Sequence, residues 1–121
     1  MSHAEGKESK AIGDYSHVEG HKTIALGDYG SHAEGTGTTA SGSSSHAEGH
    51  HTTASGAASH TEGAGTTAFG ASSHAEGHYT TASGDYGSHA EGAGTTASGY
   101  SSHTEGSYTT ASDHYSHAEG Y

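Results

Sequence analysis

The sequence has no cysteine, proline, tryptophan, asparagine, glutamine or arginine, and very little of what a conventional core is built from. Its branched aliphatic residues and phenylalanine are Ile12, Val18, Ile24, Leu26 and Phe69 alone. That is far below the roughly 20% level under which a charged chain is expected to stay disordered. A mixed globular core is excluded, because apolar burial at about 25 cal/mol per Å² cannot offset chain entropy with so few large side chains. Without cysteine there is no disulfide framework, and the redox compartment stays open. No apolar run approaches the roughly 20 residues of a membrane helix, so membrane insertion is not expected. Met1 leads straight into a repeat, without the regions of a signal peptide. Three lysines against fourteen acidic residues give a formal charge of −11 with histidine neutral. Such a chain repels phosphate backbones and anionic lipid, so nucleic acid is not an expected partner.

What is present is a repeat. The pentapeptide SHxEG begins at Ser2, Ser16, Ser31, Ser45, Ser59, Ser73, Ser88, Ser102 and Ser116, in steps of 14 or 15 residues. Between its copies lies a second pentapeptide: SKAIG (9–13), TIALG (23–27), TTASG (38–42, 52–56, 80–84, 95–99), TTAFG (66–70) and TTASD (109–113). Each 14-residue unit is two five-residue blocks, each followed by two variable residues. Both extra residues fall in DYG, at 28–30 and 85–87, where a surface corner absorbs an insertion without disturbing strand register.

The two-residue side-chain period of a strand sorts each block. Ser and Ala of SHAEG share one face and His and Glu the other; the first Thr and Ala of TTASG oppose the second Thr and Ser. The small set is expected inside a flat, narrow coil held chiefly by backbone ladders between coils, with Val18, Thr61 and Thr104 replacing Ala in the first block. The glycine closing each block suits a turn with positive φ, and Asp113, its one replacement, is among the few residues that tolerate that region. A helix is excluded, since glycine recurs about every seven residues and there is no 3.6-residue stripe. The fold class is therefore all-β, a parallel β-solenoid forming a single domain over residues 1–121. Its eight and a half or so coils span roughly 40 Å at the spacing of paired strands. Solenoid ends need covering, and the more aliphatic opening through Leu26 is expected to serve as a partial cap.

The alternation SHAEGxxTTASGxx resembles the 14-residue head repeats of YadA-like trimeric autotransporter adhesins, and SHAEG-type repeats are also similar to those of phage tail and appendage fibres. The resemblance implies a left-handed parallel β-roll, three chains side by side about a shared axis, and a non-enzymatic adhesive or spacer segment. It also implies an extracellular place at a cell or virion surface, with a host receptor or glycan as partner. The sequence departs from the adhesin pattern on the face that meets the trimer axis. Where those heads carry Val and Ile, this chain has His and Glu in one block and mostly Thr and Ser in the other.

Stacked coils put His over His and Glu over Glu in two columns, and like charges opposed on neighbouring strands are unfavourable. Pairing each carboxylate with a histidine relieves this, and a facing chain completes the hydrogen bonds. The expected subunit interface is His17, Glu19, His32, Glu34, His46, Glu48, His60, Glu62, His74, Glu76, His89, Glu91, His103 and Glu105. In such a network the imidazolium is favoured and its pKa raised; protonating the nine motif histidines takes the formal charge from −11 to −2.

Further histidines at His21, His50, His51, His78 and His114 fall in corners, where His50 and His51 suit adventitious chelation. The histidine columns give a metal-binding alternative, but a column lacks the discrete ligand group and outer shell of a dedicated site, so no metal or cofactor is expected. The second face carries Thr39/Ser41, Thr53/Ser55, Thr67/Phe69, Thr81/Ser83, Thr96/Ser98 and Thr110/Ser112. Such hydroxyl columns resemble ice-binding surfaces, a further alternative that Phe69 interrupts. Tyr29, Tyr79, Tyr86, Tyr100 and Tyr108 occupy corners, where an aromatic ring either covers the turn or offers a sugar-stacking surface. Catalysis is not expected, because a flat repetitive surface supplies no pocket in which nucleophile, base and orienting group converge.

Overall fold

A computed structural model describes all 121 residues, Met1–Tyr121. The first blocks form a nine-stranded parallel sheet, from His3–Lys7 through His46–His50 to His117–Ala118. The second blocks form an eight-stranded parallel sheet of two-residue strands, from Lys10–Ala11 to Thr110–Ala111. Each strand pairs with its equivalents in the preceding and following coils, so the chain is a parallel β-solenoid of about eight turns. The strands of the first sheet run on through the block-closing glycine, as in His46–His50, one residue further than the SHAEG motif implies.

Register follows the repeat residue by residue. His32 pairs with His46, Ala33 with Ala47, and Glu34 with Glu48. The ladder between coils is made by main-chain donors reaching forward: Thr39 N–H donates to Thr52 O at 2.9 Å, Thr53 N–H to Thr66 O at 3.0 Å, and Thr67 N–H to Thr80 O at 2.9 Å. The longer corners leave this intact, since His17 still pairs with His32 and Ala75 with Ala90. There the aspartate of DYG ties the insertion down. Asp14 N–H donates to the Asp28 carboxylate, and Ala71 N–H to that of Asp85, each at 3.0 Å.

The interior is as small as the sequence requires. Val18, Ala25, Ala33, Ala40, Ala47 and Ala54 form one buried apolar column, and Ala68, Ala75, Ala82, Ala90 and Ala97 a second. Thr61, fully buried, separates them, and its hydroxyl finds no partner; Val18 fills the equivalent place with a methyl instead. Most other inward hydroxyls close locally on backbone, which removes the penalty of burying them. Ser45 Oγ donates to Gly42 O at 2.6 Å, Ser59 Oγ to Gly56 O at 2.7 Å, and Thr52 Oγ1 to Glu48 O at 3.1 Å.

Two sequence-based expectations are corrected here. Positive φ explains the glycine of the first block, as at Gly49 (φ +108°), but neither the glycine of the second nor Asp113. Gly56 is required for space: a Cβ there would sit 2.0 Å from Gly70 O in the next coil. The left-handed residue of both corners is instead the second variable one, such as His51 (φ 54°) and Ala58 (φ 56°). The aliphatic opening is not a cap either. Ile24 pairs with Thr39 on the outward face, and Ile12 and Leu26 are exposed, so these residues extend the outer Thr/Ser face.

The two corner requirements lead to opposite substitution effects within three residues. Gly56→Ala drives a methyl into the next coil and is expected to cost about 3 kcal/mol or more. Ala58→Gly removes a left-handed alanine and is expected to stabilise by about 1 kcal/mol. Thermal unfolding followed by circular dichroism checks both signs.

Candidate functional site: the histidine and glutamate face

Because inward positions take only small side chains, every large polar group of the first block is turned outward. All seven sequence-predicted histidines stand in one column. From His17 to His117 successive rings stack with centroids 4.7 to 4.9 Å apart and planes within 12° of parallel. This is the strand spacing itself, imposed by the ladder beneath. At the outer end His3 turns edge-on to His17.

In every coil but that of His103 and Glu105, the glutamate lies within 4.0 Å of the histidine on its own strand. Nε2 to Oε2 separations run from 3.4 to 3.8 Å for the pairs of His17, His32, His46, His60, His74 and His89. These exceed the roughly 3.2 Å reach of a good hydrogen bond; only His3 and Glu5, at the exposed end, come to 3.1 Å. As a result the Nε2 atoms of His17, His32, His46, His60, His74, His89 and His103 are shielded from water without a hydrogen-bond partner. The histidine column is the one that the 14- or 15-residue recurrence of SHxEG implies, and the near-parallel setting of its rings follows from the strand spacing.

In the single chain the electrostatics run opposite to the sign expected of a histidine–glutamate network completed by a facing chain. Burial, reinforced by the histidines above and below, lowers the pKa of His46 and His74, and burial reinforced by His103 lowers that of His89. Burial also raises the pKa of Glu48 and Glu76, with the neighbouring carboxylates adding to it. At these positions both kinds of group are shifted towards their neutral forms.

The sequence matches the YadA head domain repeat (2 copies) over residues 4–29, 33–59, 62–86 and 90–112, each segment close to two coils long. The chain belongs to this family. No curated protein matches it. The YadA head family is one of surface-exposed adhesin domains.

In this YadA head repeat the second outward face carries a column of threonines in register, Thr39 on Thr53, Thr53 on Thr67 and Thr67 on Thr81, and the exposed ring of Phe69 interrupts the serine column beside it. The five tyrosines do not form one site. Tyr79 and Tyr108 follow the first block and lie against Gly65 and Gly94 of the preceding coil, where added Cβ atoms would come within 2.8 Å of the rings. Tyr29, Tyr86 and Tyr100 follow the second block on the other edge; Tyr86 and Tyr100 stack at 4.6 Å, and Tyr100 N–H donates to His114 Nδ1 at 3.2 Å. At the first corner His50 and His51 pack edge to face at 4.3 Å.

The pKa directions fix the response to acid. A histidine whose folded pKa is depressed takes up protons preferentially in the unfolded chain, so stability falls as pH drops below the ordinary 6.5 towards the folded value. A glutamate whose folded pKa is raised costs stability at neutral pH, and that cost is relieved as pH falls through its folded value to the ordinary 4.5. The unfolding temperature is expected to fall between pH 7.5 and 5.5 and then level off or partly recover. Melting curves across this range check it; a rise between pH 7.5 and 6 would mean that imidazolium is stabilised in the fold.

Proposed function

We propose that the chain is a non-enzymatic structural segment of a trimeric adhesin head, in which the face from His17/Glu19 to His103/Glu105 packs against further copies of the same chain. One observation carries this reading: the half-buried column whose seven Nε2 atoms lack hydrogen-bond partners while the chain is alone. Packing a second copy over that face dehydrates the carboxylates and lets side-chain rotation close histidine–glutamate hydrogen bonds within and between chains. Burial in such a contact deepens the preference for neutral imidazole, so the interface works above the histidine pKa and weakens on acidification. Family membership supports the trimer, because YadA-like heads are trimeric.

The surface has no pocket, which suits contact through broad faces rather than enclosure of a small substrate. Exposed corner tyrosines, Tyr29 and Tyr86 among them, are the places this reading assigns to a host receptor or glycan, with an extracellular location following from the same reading.

Light scattering tests the assembly. At pH 7.5 the expected mass is three times the 12.0 kDa chain. His60→Asp with His74→Asp should reduce it to a single chain, whereas Ser55→Asp with Ser83→Asp on the opposite sheet should leave it unchanged. A monomeric parent refutes the assembly, and dissociation by the serine pair alone moves the contact to the other face.

A further inference from the structure

The histidine and glutamate columns also place three metal-ligating groups together at successive steps between coils. Of six such groups, five run up the middle of the face: His32, Glu34 and His46; His46, Glu48 and His60; His60, Glu62 and His74; His74, Glu76 and His89; His89, Glu91 and His103. Within each, one donor atom from every residue lies within 4.8 Å of the other two. From the geometry we infer that this face binds divalent zinc or a chemically similar transition-metal ion, using two imidazoles from adjacent coils and the carboxylate between them.

Three observations separate these groups from an ordinary polar surface. The donors are of two kinds, and paired imidazoles with a carboxylate select zinc, nickel or copper over calcium or magnesium, which take oxygen ligands. The Nε2 atoms concerned have no hydrogen-bond partner to give up. The strands beneath fix the donors in register, so the chain arrives with its ligands already side by side. Tetrahedral zinc with nitrogen ligands at about 2.0 to 2.1 Å holds them about 3.3 Å apart. The two rings must therefore tilt towards each other by an ångström or so, a side-chain rotation that leaves the ladder untouched. Three protein ligands leave the fourth position to water.

Adjacent triads share a histidine, and this sets the stoichiometry. An ion held by His32 and His46 prevents occupation of the next step, because His46 has only one Nε2. The face therefore fills alternate steps: His32 with His46, His60 with His74, His89 with His103. The expected capacity is three ions per chain. The ligands of each ion come from one chain, so binding does not require the assembly proposed above, although the two draw on the same Nε2 atoms and a fall in chain mass on adding zinc would show them competing.

The test uses untagged chain, stripped by dialysis against chelator and then equilibrated with zinc chloride at pH 7.5. Metal is counted by mass spectrometry and chain mass is followed in parallel. Three ions per chain are expected. His60→Gln with His74→Gln should hold two, since the outer steps remain, and His50→Gln with His51→Gln at the exposed corner should still hold three. Replacing zinc by cobalt in the unmodified chain should give the visible absorption of tetrahedral cobalt, a readout that does not depend on how the variants fold. A parent that retains no zinc overturns the inference. So does a histidine 60/74 variant with the parent's capacity, or a loss confined to the histidine 50/51 variant.

Discussion

The parallel main-chain ladder between coils is the constraint on which the rest of this molecule depends. With an interior of alanine, serine and threonine, little apolar area is available to hold the fold. Specificity passes to backbone pairing, which requires successive coils to match residue for residue. That demand explains the sequence economy. A 14-residue unit can be copied with few changes because each copy must fit the one below it, and Gly56 is dictated by the carbonyl of Gly70 pressing on it. Where length changes, at Asp28–Gly30 and Asp85–Gly87, the change is placed in a corner and tied down by an aspartate side chain.

The same ladder produces the functional face. Strands at fixed spacing force outward side chains into columns, so the single choice of histidine at one position becomes a stack of parallel rings, and that of glutamate a row of carboxylates. Around His46, Glu48, His74, Glu76 and His89 burial and stacked like groups work against the charged forms, and the opposite column offsets this only partly. A surface of this kind is less settled than an ordinary solvated sheet face. It has polar atoms screened from water and unpartnered, and charges held closer than they would choose. Association with another copy, or capture of a metal ion between two rings, resolves different parts of that situation with the same side chains.

Much of this was legible in the sequence. The repeat gave the coil length, and the two-residue alternation assigned the buried set, including Ala47, Ala54, Ala75 and Ala82, all fully buried. The fourteen histidines and glutamates were correctly placed on one face. What failed concerned close approach and burial, which composition does not carry. The second-block glycine was read as a turn residue, but Gly56 answers to a neighbour 14 residues away in sequence. Positive φ fell to residues such as Ala58 and Ser72, types that give no such signal. Ile12 and Leu26 read as a cap because apolar side chains are expected to seek cover, but their register turns them outward. The raised imidazole pKa was an expectation for a network completed by a facing chain; in the single chain, burial and the neighbouring histidines of the stack outweigh the glutamates at His46, His74 and His89.

Native-state hydrogen exchange, read amide by amide, measures the coil-to-coil ladder most directly. The amides of His46, Thr53 and Ser55, which donate to Ser59, Thr66 and Ala68 of the next coil, should exchange slowly. Those of Ser43 and Ala57, at exposed corners, should exchange quickly, and the alternation should recur every 14 or 15 residues along the chain. Uniform rapid exchange, or protection without that period, would contradict the account.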